Sequence, residues 1–396
     1  VNMQPIYNVG IIGTGFIGTG ILLALETQSD LQVTKVLTRR NLSDCHGFPR
    51  KDLLTDSVAD LIDHCDLVVE CSGDAIYATE VLDQVLEAHL PVVTMDSELH
   101  VTTGSYLAKK GKITEAEGDQ PGCLAALREN AVQMGFKPLV YGNIKGFLNL
   151  MPTLEDMQYW SHKQGISLDQ VASFTDGTKV QIEQAFVANG LGAALYQPGL
   201  LGTVAEDIRS GGVILADAAK RLGQPISDYI LSPKSPAGVF LVAEHEESQN
   251  AYLRYLKMGE GPYYTLVQNF HLCHLEVAKT IRRIVNGGDI LLNNTTNPKA
   301  GVVAVAKRSL APGDAIKRGI GSFDVRGIAI TLADHWNQVP IGLLSDAVIT
   351  KPIEPGQILS FDDVDLQDTL ALRAWFAIRE SCRGKAVEKQ TALVAG

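Results

Sequence analysis

Four charged residues sit where the chain turns: Asp119, Lys145, Asp176 and Lys179. A lysine ammonium can polarise a carbonyl and protonate the alkoxide formed on its reduction, and a neighbouring carboxylate can orient that lysine or tune its pKa. Asp176 and Lys179 lie three apart in S-F-T-D-G-T-K (173–179). There an extended piece ending at Phe174 and Thr175 meets an Asp-Gly turn, and a helix begins at Thr178, so the spacing lets both side chains face one cleft. Glu183, one helical turn beyond Lys179, either orients that lysine or forms a surface pair. Lys145 follows the strand-like run 137–141 in G-N-I-K-G (142–146) and reads as pointing into the same cleft. Asp119 belongs to E-G-D-Q-P-G (117–122), a loop too rich in acids, glycine and proline for plain connection. Asp96 and Glu98 end the strand 91–95, with His100 close by. They either cap the next helix through its dipole or reach the reacting centre as acid, base or Mg²⁺ ligands.

These residues need an organising element, and it lies at 9–25, V-G-I-I-G-T-G-F-I-G-T-G-I-L-L-A-L. The apolar run 9–12 reads as a buried strand. Gly13, Gly15 and Gly18 follow at the spacing G-x-G-x-x-G, and Phe16 and Ile17 open a helix. Gly13 permits the tight turn, Gly15 lets backbone approach a pyrophosphate, and Gly18 lets helix pack on strand. The unpaired N–H groups of the helix N-terminus then face the phosphates. An NAD site places an acid about 20 residues further on. Here the second strand, 31–37, ends in Thr38-Arg39-Arg40. Two guanidiniums suit a 2′-phosphate, which favours NADP over NAD; the alternative is a solvated basic loop. After the strand 66–70, Ser72 and Gly73 form a small polar turn of the kind that holds the ribose and nicotinamide side of such a cofactor. The cluster His271, Cys273, His274 and Glu276 invites a metal reading. On a helix over 264–285, however, His274 joins an apolar stripe with His271 at its edge while Glu276 faces away, so the four do not converge.

Composition limits the classes. At 396 residues the chain holds two or three domains. A net charge of −11 argues against a general nucleic-acid binder. No apolar run of about 18 residues is present, so no membrane helix is implied. The six cysteines are scattered without C-x-x-C, and the first strand starts too early to leave room for a signal peptide. Both point to a reduced, cytoplasmic protein.

The expected fold class is α/β. An N-terminal Rossmann domain (1–146) carries the strand 137–141 at its end and is followed by a mostly helical domain (147–298). Beyond the linker N-N-T-T-N-P the pattern changes to short strands with Pro-Gly turns (299–366), and a final helix and tail close the chain (367–396).

Taken together these stretches resemble the SAF-domain homoserine-dehydrogenase-like oxidoreductases, a family that includes the 1-deoxy-D-xylulose 5-phosphate reductoisomerase-like enzymes. The resemblance rests on G-D-Q-P-G (118–122), on S-F-T-D-G-T-K with V-A-N-G (187–190), and on V-A-K-R-S-L-A-P-G paired with I-T-K-P-I-E-P-G-Q-I-L. It implies an NADP-dependent enzyme with a Rossmann domain, a catalytic domain that also supports a homodimer, and a SAF module of β-clip fold. In the reductoisomerase-like branch it implies a phosphorylated ketose, rearranged before hydride reaches an aldehyde. Asp96-Ser97-Glu98 also resembles the D-S-E by which the ordinary reductoisomerases hold a divalent metal, implying Mg²⁺ or Mn²⁺. The homoserine dehydrogenases place Asp and Lys four apart on one helix, whereas Asp176 and Lys179 are three apart. The expected role of Lys145 or Lys179 is to polarise and protonate, with Asp176 orienting the lysine and Asp119 and Glu98 contacting substrate. Two other readings stand beside this one: a plain NAD(P)-dependent dehydrogenase of a hydroxy-acid or polyol, and a non-catalytic NADP sensor.

Overall fold

The computed structural model describes residues 5–333 and 335–394. Its first sheet has six parallel strands in the order Leu54–Thr55, Leu31–Leu37, Tyr7–Ile12, Leu67–Glu70, Val92–Thr94 and Ile113–Glu115. Val9, Ile11, Ile12, Val68, Val69 and Val93 are fully buried. That is why these runs are continuously apolar: helices cover both faces of a parallel sheet. The chain starts in the middle, builds to one edge and crosses back, leaving a crevice at the carboxyl ends of Tyr7–Ile12 and Leu67–Glu70.

A second sheet runs in the order Tyr264–Gln268, Gly238–Glu244, Lys137–Lys145, Ile226–Leu231 and Thr203–Val204. It corrects three expectations. The strand carrying Lys145 does not close the Rossmann sheet; it is the middle strand here, antiparallel to Gly238–Glu244 and parallel to Ile226–Leu231. The region after 147 is not mostly helical, because Ile226–Leu231 and Gly238–Glu244 are short buried runs that periodicity cannot separate from helix. The stretch 264–285 is not one helix. Tyr264–Gln268, rich in aromatic and β-branched residues, is an edge strand. Only Cys273–Val285 is helical, and it returns to the first domain, where Val277, Ala278, Ile281 and Ile284 pack with Ile21, Leu22 and Leu25.

The helix Thr178–Leu191 is the hub. It is buried on almost every side yet carries polar residues, and each has a partner. Gln184 Nε2 donates to the carbonyls of Tyr141 and Asp228 at 2.9 and 2.6 Å. Asn189 bridges Asn294 and Ala300. Gln181 accepts from Ala329 N at 2.8 Å, and Thr178 Oγ1 accepts from Gly327 N at 2.9 Å. The last two partners belong to a C-terminal β module, as expected from the Pro-Gly punctuation. The module pairs Ala300–Ala306 with Val325–Thr331, and Ser345–Ile349 with both Ala315–Arg318 and Val364–Asp365, all antiparallel. The final helix is longer than expected, Leu370–Val394; residues 395–396 of the expected tail lie outside the described residues. Its Ala371, Trp375 and Ile378 pack with Trp336 and Leu343 of the module, against Ile76 and Tyr106 of the first domain. Among the described residues no helix is long and apolar enough to cross a membrane.

Asp176 ties the hub to the module. Its carboxylate is 2.6 Å from Lys307 Nζ, both side chains are buried, and Lys307 also donates to the Ser322 carbonyl. Removing one partner of a buried pair strands the other charge. Lys307→Ala is therefore expected to lower the unfolding free energy by about 3–5 kcal/mol, read from urea denaturation. A change under about 1 kcal/mol, the worth of a surface pair, would show that the module is not anchored there.

Candidate active site

The glycine turn is shaped for a phosphate. Gly13 has φ +120°, and a Cβ on Gly18 would fall 2.1 Å from the Gly13 carbonyl oxygen, so strand and helix meet with no room for a side chain. A Cβ on Gly15 would meet nothing within 4 Å. Gly15 is also the N-cap of Phe16–Leu25 and offers no side-chain cap, so the first-turn N–H groups face open space. These residues fit a dinucleotide pyrophosphate. Ile17 and Gly73 line the cleft beyond, whereas Phe16 is mostly exposed. Ser72 turns inward, its hydroxyl donating to Glu70 at 2.7 Å, which removes that hydroxyl as a donor to a ligand. Arg39 pairs with Asp74 at 2.6 Å and lies 5.0 Å over the Tyr77 ring. Arg40 has no ion-pair partner among the described residues.

Past the ends of Leu67–Glu70 and Val92–Thr94 the two domains bring their charged residues together. Lys179 Nζ is 3.0 Å from both oxygens of Glu98. Burial works against its charge, but the fields of Glu98, Asp119 and Glu183 hold the ammonium well above its ordinary pKa. Asp119, at the start of Gln120–Gln133, accepts from Ser97 at 3.0 Å. Burial would raise it, yet Lys179 and the Ser97 hydroxyl keep it below the usual carboxylate range, so it is ionised. Lys145 donates to Gln120 Oε1 at 3.1 Å and Glu183 Oε2 at 3.3 Å, and Asn143 donates to the same two atoms. Glu183 therefore orients Lys145 through direct contact and meets Lys179 through its field.

Glu98, Asp119, Lys145 and Lys179 thus converge; Asp176 does not. Residues 168–175 are helical rather than extended, so Asp176 is the C-cap of Leu168–Thr175 and faces Lys307 instead of Lys179. The group that orients Lys179 is Glu98, which sequence spacing could not reveal because it lies 81 residues away. Asp96 takes the capping role: its Oδ1 accepts from Leu99 N at 3.1 Å. Burial, and then Glu70 and Glu98, push its carboxyl well up, so it is neutral. With one Asp96 oxygen taken by Leu99 N and both Glu98 oxygens by Lys179, the pair does not fit a divalent cation. Among the described residues no three His, Cys, Asp or Glu side chains are placed to hold a metal. Glu276 does not face away; it is buried and accepts from Leu272 N at 2.7 Å, an N-terminal cap of its own helix.

One buried pair went unread in the sequence. His100 stacks on Phe186 with centroids 4.1 Å apart, and its Nε2 is 3.2 Å from Glu115 Oε2. Burial holds the imidazole down at about 3 and pushes Glu115 well up, so both are neutral. An unfolded chain protonates His100 as pH falls through 6.5, whereas the folded one resists until about 3. The contribution of His100 to stability is therefore complete above the unfolded value and is lost across that window as pH falls. Glu115 acts in the opposite sense above its ordinary 4.5. His100→Gln is expected to flatten the acid limb of urea stability between pH 6.5 and 3. A variant that keeps the wild-type slope would remove His100 as its source.

Residues 13–115 match the family described as homoserine dehydrogenase, NAD binding domain, and residues 118–277 match oxidoreductase DRL, catalytic domain. The boundary between the matches falls where the first sheet ends and the segment of Asp119 begins. The chain carries an oxidoreductase catalytic domain behind an NAD-binding domain. It is an NAD(P)-dependent oxidoreductase, and Lys179 reaches from the second of those domains to Glu98 of the first. No curated protein matches it in sequence. Solved structures similar to this oxidoreductase include a chain described as a probable dehydrogenase from Thermotoga maritima. It is 14% identical with TM-score 0.44, covering 72% of this chain and 91% of that one. Apo scyllo-inositol dehydrogenase from Lactobacillus casei is 9% identical with TM-score 0.41, covering 74% and 92%. A dehydrogenase from Clostridium difficile is 13% identical with TM-score 0.40, covering 73% and 94%.

Proposed function

We propose that this oxidoreductase uses NADPH to reduce a carbonyl of a small, phosphorylated, sugar-like substrate, in the manner of a reductoisomerase, as a cytoplasmic homodimer. One observation carries the reading: a part-buried ammonium, Lys179, held by Glu98 in the cleft that Ile17 and Gly73 share with the glycine turn. NADPH supplies a hydride when bound. The chain's own residues do the rest. Lys179 donates to the carbonyl oxygen, stabilises the negative charge that grows there, and gives the alkoxide a proton that is regained from water. Glu98 fixes the direction of the ammonium. Asp119, ionised and held by Ser97, accepts from a substrate hydroxyl, and Lys145 with Gln120 bounds the far side. Preference for the 2′-phosphate is supported by Arg39 and Arg40 in place of a carboxylate after Leu31–Leu37, and by Arg40 having no charged partner among the described residues. The C-terminal β module is read as SAF-like on its two Pro-Gly motifs.

The test is an NADPH-oxidation screen over small carbonyl compounds, with and without Mg²⁺ or Mn²⁺. Oxidation with a ketose phosphate supports the proposal, and analysis of the product skeleton decides whether rearrangement precedes reduction. Turnover only with unphosphorylated hydroxy-acid or polyol partners would replace it with a plain dehydrogenase. NADPH binding without consumption across the screen would replace it with a sensor.

A further inference from the structure

The cleft beside Lys179, about 180 Å³, has a wall that neither the glycine turn nor the second sheet supplies. Arg318, Ile320, Gly342 and Ser345, all from the C-terminal module, line it together with Asp169 and Gln170. This wall is fixed in place. A Cβ on Gly342 would come 2.2 Å from Thr102 Oγ1 of the first domain. One on Gly321, where φ is +79°, would come 2.3 Å from the Asp169 carbonyl oxygen. The bonds from Gln181, Thr178 and Asp176 to the module hold it from behind.

Arg318 ends the strand Ala315–Arg318 and, among the described residues, makes one side-chain hydrogen bond, Nη1 to Asp169 Oδ2 at 3.1 Å. The two side chains are 46% and 48% exposed. A pair that open, held by one hydrogen bond, contributes about 0–1 kcal/mol. The rest of the guanidinium fork has no hydrogen-bond partner among the described residues, and its charge is felt by Asp74, which lines the same cleft. Gln170 is similar: its Oε1 accepts from Ser167, while its Nε2 has no partner among the described residues. Of the other cations near this cleft, Lys179 is held by both oxygens of Glu98 and Arg39 by Asp74. Free forked donors beside an amide N–H and a hydroxyl suit a phosphate or carboxylate, which takes two guanidinium bonds at once.

The geometry points to Arg318 as the residue that grips the anionic group of the substrate, a phosphate or carboxylate, with Asp169 holding the guanidinium until that anion displaces it. The inference rests on the reductase reading and adds that the C-terminal module is part of the substrate site. An anion held there and a carbonyl at Lys179 would fix the two ends of one small molecule.

The experiment titrates inorganic phosphate into the full-length protein saturated with NADP⁺, by calorimetry, for the wild type, Arg318→Gln and Asp169→Asn. Arg318→Gln is expected to weaken phosphate binding by about tenfold or more, as loss of hydrogen bonds to a charged group does. Its affinity for NADPH should stay near wild type. Asp169→Asn, which frees the guanidinium, is expected to bind phosphate at least as tightly as wild type. Equal losses in both variants would make the pair a mere latch and overturn the inference. So would wild-type protein that takes up no phosphate, or an Arg318→Gln variant that loses NADPH affinity instead, which would assign the guanidinium to the dinucleotide. Failure of the wild type to bind either NADPH or NADP⁺ would sink the reductase reading itself, before the phosphate arm is reached.

Discussion

Lys179→Ala is expected to lower the rate of NADPH consumption by about 10²- to 10⁴-fold, the usual worth of a positioned proton donor. The lysine is buried among Glu98, Asp119 and Glu183, whose fields keep it charged. A charged ammonium is what a growing alkoxide needs before it takes the proton, and in a part-buried site the interaction is stronger than in water. Glu98 holds the ammonium through both oxygens at 3.0 Å, so little reorganisation accompanies the reaction. Because the hydrogen bonds of Lys179 go to Glu98 and, among the described residues, none goes to the glycine turn, NADPH affinity should be nearly unchanged. The measurement is stopped-flow or steady-state turnover beside fluorescence titration of NADPH. Alanine also leaves several carboxylates without their counter-charge. Lys179→Arg, which restores charge with a different donor geometry, separates electrostatics from proton delivery. Turnover close to wild type in the alanine variant would take Lys179 off the reacting centre.

Gly15→Val should abolish most nucleotide binding while leaving the fold intact. The backbone at Gly15 is extended, with φ −80°, and a Cβ there meets nothing within 4 Å, so a side chain starts without backbone strain or a clash. It would instead fill the space into which the first-turn N–H groups point. The Kd for NADPH is expected to rise by at least about tenfold, or ~1.4 kcal/mol, with Tm unchanged. Gly18→Ala makes the contrast: its Cβ would strike the Gly13 carbonyl at 2.1 Å, so it should lower Tm. If Gly15→Val bound NADPH like wild type, the phosphate cradle would lie elsewhere.

Local signals were legible along the chain wherever the cause was local. The glycine spacing, the apolar strands of the first sheet, the Asp-Gly turn at Asp176–Gly177 and the Pro-Gly punctuation of the β module all report backbone needs that the nearest few residues must meet. The errors share a different cause. Ser173–Thr175 read as extended because a short segment before a turn carries too little periodicity, although Ser167 and Gln170 form a capping box that announces the helix Leu168–Thr175. Tyr264–Gln268 read as helix because it abuts one, and only pairing with Gly238–Glu244 makes it a strand. Lys145, expected to point into the cleft, donates to Gln120 and Glu183, and the strand that carries it belongs to the second sheet.

What the amino-acid order alone determined was the inventory: a phosphate-binding turn, two arginines after the second strand, and lysines and carboxylates at turns. Which lysine meets which carboxylate was decided by the tertiary structure. Asp176 and Lys179 are neighbours in sequence, yet they point to partners 131 and 81 residues away, Lys307 and Glu98. The physical reason is burial. A charge taken out of water must find its counter-charge wherever packing places one, and proximity along the chain has no say in where that is.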